Sequence, residues 1–145
     1  MNGALVIGAG PAGLMAADEL ASAGQPVTLV DAKPSFGRKF LMAGKSGLNL
    51  TKDEEFGPMM RHYGAASDQL APMIAEFESA AIKSWAEGLG QDLFTGSTGR
   101  VFPKVMKASP LLRAWLTRLQ GLGVELKTRW RWTGVERSTF QFETP

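Results

Sequence analysis

The chain has 145 residues, the size of one domain or of a piece of a larger one. Its 44% hydrophobic and 21% charged residues lie near globular averages, which excludes disordered and collagen-like chains, and the absence of cysteine excludes disulfides, thiolate zinc sites and cysteine nucleophiles. Sixteen Lys and Arg against 14 Asp and Glu leave a formal charge of +2, too small to name a partner.

The uncharged run from Asn2 to Ala17 lacks a basic start and is broken by Gly8, Gly10, Pro11 and Gly13. It is also shorter than the roughly 20 residues of a membrane span, so it supports neither a signal peptide nor an anchor, and a cytoplasmic protein is expected. Within it, Ala4-Leu5-Val6-Ile7 reads as a strand buried on both faces of a parallel sheet. Pro11 suits the first turn of a helix, and Leu14, Ala17, Leu20 and Ala21 recur at helical spacing until Gly24 stops it. Val27 to Val30 reads as a second strand ending at Asp31.

Residues 31–51 are rich in Gly, Lys and Ser and read as loop with a short helix near Phe40. Between Ser67 and Leu89 the apolar spacing predicts two amphipathic helices joined near Glu78-Ser79, with Pro72 in the first turn of the earlier one. Gly96 to Pro103 reads as a glycine-bearing turn. Ser109-Pro110 reads as an N-cap and first helical position, opening a helix whose stripe is Leu111, Leu112, Trp115, Leu116 and Leu119. Val124 to Trp132 then reads as a strand and Thr139 to Glu143 as a further strand in a meander.

Gly8-Ala9-Gly10-Pro11-Ala12-Gly13 matches GxGxxG, and its setting gives the pattern weight. It follows a buried strand, opens a helix and is followed, 18 residues after Gly13, by an acid at the end of the second strand. Gly8 permits the tight turn, Gly10 admits a pyrophosphate to the backbone, and Gly13 lets helix and strand pack closely. The helix N-terminus offers N–H groups and a positive dipole end to phosphate. Asp31 can accept hydrogen bonds from both ribose hydroxyls. The fingerprint alone leaves FAD and NAD equally open.

The following residues bear on that choice. GRKFLMAGKSGLNLT from Gly37 to Thr51, with GAGPAGLMAA before it and GRVFPKVMKASPLLRAWL after it, resembles the HI0933-like, or aminoacetone-oxidase-like, NAD(P)/FAD-dependent oxidoreductases. The resemblance runs from Leu5 to about Val135. Where the family commonly has GGGRCNLT, this chain has Gly44-Lys45-Ser46-Gly47-Leu48-Asn49-Leu50-Thr51, a departure that loosens any inference of substrate.

The resemblance implies an α/β Rossmann-like FAD-binding domain of the two-dinucleotide-binding type. Gly8, Gly10, Pro11, Ala12 and Gly13 would hold the FAD pyrophosphate by backbone, and Asp31 the adenosine ribose. Arg38 and Lys39 would lie along the phosphates and ribityl chain, Gly44, Asn49 and Leu50 near the flavin, and the strand through Arg131 and Trp132 beside the adenine. NAD(P)H is a candidate electron partner. The implied organisation is a dinucleotide-binding unit with flavin loop over 1–51, a helical and loop segment over 52–108, and a helix with strands over 109–145. No Gly-Asp dipeptide occurs, although such flavoproteins carry one near their C-terminus. The chain is therefore expected to be an N-terminal portion lacking the inserted domain and the C-terminal part, inactive alone, with free sheet edges open to self-association.

Plainer readings stand beside these. Lys127 to Trp132 interleaves bases with aromatics, as a nucleic-acid surface would. On a strand, however, Lys127, Arg129 and Arg131 share one face and Thr128, Trp130 and Trp132 the other, and +2 gives little electrostatic drive. His62 is the only histidine and reads as a surface or packing residue. No nucleophile triad, paired carboxylates or metal-ligand spacing stands out, and no catalytic residue is named. The alternatives to an FAD domain are a non-catalytic nucleotide-binding module and an NAD-dependent dehydrogenase module.

Overall fold

A computed structural model describes residues 3–145. The first elements are β1 (Ala4–Ile7), α1 (Pro11–Ser22), β2 (Val27–Asp31), α2 (Arg38–Ala43), β3 (Thr51–Lys52), α3 (Phe56–Arg61), α4 (Ser67–Ala75) and α5 (Ser79–Gly88). The chain continues through β4 (Leu93–Thr95), β5 (Arg100–Pro103), α6 (Ala108–Gly121), β6 (Glu125–Thr128), β7 (Arg131–Glu136) and β8 (Thr139–Glu143). Two compact units result: one runs up to Met42 and resumes over Leu112–Pro145, the other is Ala43–Leu111.

In the first unit β1, α1 and β2 form the expected strand, helix, strand unit, with β1 and β2 parallel and Ala4 opposite Val27. β6 adds parallel to the other side of β2, so the sheet order is β1-β2-β6. Leu14, Ala17, Asp18 and Ala21 are the buried positions of α1. The expectation that β1 is buried on both faces does not hold: Ile7 is 42% exposed and Ala4 to Val6 are only half-buried. Among the described residues β1 pairs with β2 alone. The central strand β2, flanked on both sides, is the one whose residues Val27 to Val30 are all buried.

Asp18 is charged yet 3% exposed. Its carboxylate accepts hydrogen bonds from Trp115 Nε1 (2.8 Å), Arg118 Nε (2.9 Å) and Ser22 Oγ (3.2 Å), tying α1 to α6. A buried carboxylate is tolerated only when so satisfied. Glu125 bridges the strands differently: Lys127 and then Thr28 bond to it and hold its carboxyl below the ordinary range. That contribution is present at neutral pH and fades as pH falls through the lowered value.

The single strand expected over Val124 to Trp132 is two strands. Arg129 takes φ 60°, which breaks the extended chain between β6 and β7 and ends the strict alternation of faces. Lys127 and Trp130 consequently meet, with the ammonium 4.3 Å from the ring centre, and Trp130 tilts against Phe142 at 5.6 Å. Instead of joining a longer meander, β7 and β8 pair as an antiparallel two-stranded hairpin.

In the second unit β5 lies between β3 and β4, all antiparallel, so Gly96 to Pro103 is a hairpin turn plus its return strand. Two further corrections concern proline. Pro72 sits inside α4, because a 3-10 turn at Gly64–Ala66 runs straight into a helix that already starts at Ser67. α6 starts at Ala108, so Ser109 lies within its first turn; Pro110 is accommodated there because first-turn N–H groups have no intrahelical acceptor. α3 carries no periodic signal, since Gly57 and Pro58 occupy its first turn. Among the described residues no helix is long and apolar enough to cross a membrane.

The β7–β8 turn generates a stability prediction. Its two central residues, Arg137 (φ 46°) and Ser138 (φ 65°), both adopt left-handed backbone, the geometry that Asn-Gly fills most easily. Ser138→Gly is expected to raise hairpin stability by about 1 kcal/mol, read as slower amide exchange in β7 and β8. Unchanged or faster exchange contradicts the assigned turn.

Candidate nucleotide-binding site

The glycine turn joins β1 to α1. Gly8 has φ 101°, a conformation side chains disfavour, and its N–H donates to Val30 O at 2.8 Å, so the chain turns while still held to β2. At Gly13 a Cβ would lie 1.8 Å from Gly8 O, so α1 packs flush on the turn only because that position is glycine. A Cβ at Gly10 would meet no atom within 4 Å. The backbone there faces open space, as approach of a phosphate requires. Gly10 is the N-cap of α1 and no side chain caps the helix, which leaves first-turn N–H groups available to an anion.

Asp31 is bound to this turn. Its Oδ2 accepts from Ala9 N–H at 2.8 Å and its Oδ1 from Lys33 N–H at 2.7 Å. Its backbone carbonyl accepts from Trp130 N–H at 2.9 Å, while Lys33 O accepts from Arg129 N–H at 3.1 Å. Two carboxylate oxygens provide about four acceptor positions, of which the backbone takes two. The backbone bonds at Asp31 thus use half of that capacity.

These elements enclose a cleft of about 410 Å³ lined by Ala9, Gly10, Asp31, Lys33, Arg38, Lys39 and Met42. Its lining thus holds three cationic residues and one carboxylate. Arg38 and Lys39 stand exposed at the start of α2, held near the turn by the Gly37 N–H bond to Ala9 O at 2.8 Å. A guanidinium fork and an ammonium suit diphosphate oxygens. Five sequence-designated positions thus line or form one site: Gly8, Gly10, Asp31, Arg38 and Lys39, with Pro11, Ala12 and Gly13 opening its helix.

The remaining designated residues lie elsewhere. Trp132 is 48% exposed, with its indole N–H on Gly134 O at 2.8 Å, and is not among the residues lining the cleft. The broken strand brings the backbone of Trp130 to Asp31 and that of Arg129 to Lys33. Gly44, Asn49 and Leu50 belong to the second unit. There a Cβ on Gly44 would meet Ala108 Cβ at 2.5 Å, Leu48 N–H donates to Met106 O and Leu50 N–H to Val101 O. The segments GKSGLNL and GRVFPKVMKA, distant in sequence, are therefore two sides of one arrangement. Asn49 is exposed and Leu50 half-buried. Sequence reasoning missed Lys33 and Met42; Lys33, two residues past the strand-ending acid, was the available signal.

In that unit Leu50, Ile74, Phe77 and Ile82 line a second cleft of about 450 Å³ together with Glu54 and His62. Lys52 (3.0 Å) and His62 (3.3 Å) flank the Glu54 carboxylate, and Lys52 foremost holds it below its ordinary range. His62 is thus an exposed side chain lying against the Glu54 carboxylate.

A parallel sheet, a glycine turn at a helix start and an acid clamped to that turn together define a Rossmann-type domain. The chain belongs to the HI0933-like protein Rossmann domain family, whose model matches residues 2–144. It is 36% identical over 96 residues to the carotenoid phi-ring synthase of Chlorobaculum tepidum, covering 66% of this chain and 13% of that protein. Its fold is similar to 3-ketosteroid-delta4-(5alpha)-dehydrogenase from Rhodococcus jostii RHA1, with TM-score 0.71, 14% identity, and coverage of 97% of this chain and 41% of that one. A flavocytochrome c3 fumarate reductase in its open conformation matches with TM-score 0.61 and 20% identity over 91% of this chain and 27% of that one. The chain thus spans less than half the length of each of these proteins.

The two site glycines separate folding from binding. Gly13→Ala is expected to cost about 3 kcal/mol or more, because backbone must move to admit the methyl group. Gly10→Ala, opening into free space, should leave the urea midpoint nearly unchanged. Equal midpoints for both variants would contradict the packing described at Gly13.

Proposed function

We propose that this chain is the FAD-binding portion of a flavin-dependent oxidoreductase that acts on a small organic substrate, with NAD(P)H as candidate electron partner. The observation that carries the proposal is the juxtaposition of the open Gly10 backbone, the Asp31 carboxylate and the Arg38-Lys39 cations around one cleft. These groups suit two parts of a dinucleotide that any such site must hold, an anionic diphosphate and a ribose diol. Family membership supports FAD over NAD, as does the GRKFLMAGKSGLNLT segment, which has no task in a simple NAD module.

In this reading Gly10, Ala12 and Gly13 hold the pyrophosphate by N–H groups and the dipole of α1. Arg38 and Lys39 neutralise its outer oxygens, and the free acceptor positions of Asp31 take the ribose hydroxyls. The β6–β7 corner, bonded through Trp130 to Asp31, and the strand through Arg131 and Trp132 that follows it are assigned to the adenine. Gly44, Asn49 and Leu50 are assigned to the flavin end. FAD, when bound, supplies hydride transfer, and the protein supplies binding, orientation and electrostatics. The small share of its relatives' lengths that the chain spans supports assigning substrate recognition and turnover to a longer polypeptide.

The test is the visible spectrum of the purified chain, with mass spectrometry of the small molecule released by heat. The expected result is a yellow protein, or a colourless one that turns yellow on titration with FAD, releasing a compound of FAD's mass. A chain that ignores FAD but binds NADH, seen by quenching of Trp fluorescence, overturns the proposal. Arg38→Gln should weaken FAD binding by about 1.5 to 3 kcal/mol, the worth of a hydrogen bond to a charged group, and flatten its salt dependence in the same titration.

A further inference from the structure

We propose that Asp18, which lies outside the cleft, is a positioning residue for its cationic rim and acts through Trp115 and Phe40. The inference rests on the reading that Arg38 meets a diphosphate. α2 has only six residues, too few to hold helical form by themselves, so packing must set its orientation. That packing comes from one face of α6. Leu112 presses its methyl groups to within 2.7 Å of where a Cβ on Gly37 would be. One turn on, Trp115 meets Phe40 edge to face, with centroids 6.3 Å apart and planes at 69°. Phe40 is buried, and the two residues before it are Arg38 and Lys39.

The indole that Phe40 rests on is itself fixed. Trp115 is 1% exposed, and its N–H donates to Asp18 Oδ2 at 2.8 Å. Arg118, one turn further along α6, donates from Nε to both carboxylate oxygens at 2.9 and 3.1 Å and from Nη2 to Ser22 Oγ at 3.1 Å. Asp18 also sits on the helix whose N-terminus forms the phosphate side of the cleft, seven residues after Pro11. One carboxylate thus references α6, and through it the first turn of α2, to the helix that receives the diphosphate. Loosening the indole lets Phe40 repack and Arg38 drift from the cleft, while Asp31 keeps its own backbone bonds. Diphosphate affinity should fall and nucleoside affinity should not.

The experiment is a double-mutant cycle on the full chain, with Trp115→Phe and Arg38→Gln read by the dissociation constants of ADP and adenosine and by thermal melts. Trp115→Phe keeps a ring against Phe40 but removes the donor. It should weaken ADP at least about threefold in the Arg38 background and less than about 1.5-fold in the Arg38→Gln background, as coupled residues do. Adenosine should change less than about 1.5-fold in both. Asp18→Asn keeps an acceptor for the indole and should bind ADP within about twofold of the parent.

Equal losses of ADP in the two backgrounds, or an equal loss of adenosine, reduce Asp18 to a helix staple and overturn the inference while leaving the cofactor reading intact. If Trp115→Phe does not fold, Asp18→Leu enters the cycle in its place with the same criteria. A parent chain that binds neither ADP nor FAD defeats the cofactor reading and the inference together.

Discussion

Asp31 is the constraint on which the site depends. Its side chain accepts from Ala9 in the glycine turn and from Lys33 beyond the strand, and its carbonyl accepts from Trp130 at the β6–β7 corner. One residue at the end of the central strand therefore fixes the phosphate turn, the loop leading toward the cations and the corner assigned to the base. Without a fixed acid the turn's free N–H groups would still attract an anion, but nothing would set their distance to the cationic rim. Pre-organisation of this kind reduces the ordering cost that a ligand must otherwise meet on binding.

Around that clamp the sequence distributes tasks by residue size and charge. Gly13 yields its side chain so that α1 can rest on the carbonyl of Gly8. Ala17 and Leu14 bury the same helix against the sheet, and Asp18 anchors it to α6 through Trp115 and Arg118. The cations come last, on a helix too short to orient itself, which is why the packing under Phe40 bears on the phosphate contacts proposed for Arg38 and Lys39. Binding chemistry at the surface and the buried network under it are consecutive parts of one structure.

Much of this was legible in the residues. The β1–α1–β2 unit, its turn at Gly8, its close packing at Gly13 and its strand-ending acid follow from local chemistry, because each answers a conformation or contact set within a few residues or across one strand pair. The helices from Ser67 to Gly88 and from Ala108 to Gly121 follow from apolar spacing. What escaped depended on neighbours distant in sequence. β1 has the composition of a fully buried strand but, among the described residues, pairs only with β2, which only sheet order decides. Arg129 breaks what alternation reads as one strand, since a left-handed residue other than glycine carries no sequence mark. The pairing of Leu48 with Met106 and of Leu50 with Val101 joins segments whose relation no periodicity shows. The same break at Arg129 is why the backbone N–H that reaches Asp31 is that of Trp130, a contact that alternation along one strand does not show.

The central claim is that the turn from Gly8 to Gly13 and Asp31 form a nucleotide-binding surface. Backbone amide chemical shifts of the isotopically labelled chain, followed by NMR during titration with FAD, test it residue by residue. The account predicts saturable shifts concentrated at Gly10, Ala12, Gly13, Lys33 and Arg38, with those of β8 unmoved. Shifts absent from the turn, or centred on the Glu54 and His62 cleft of the other unit, would contradict it.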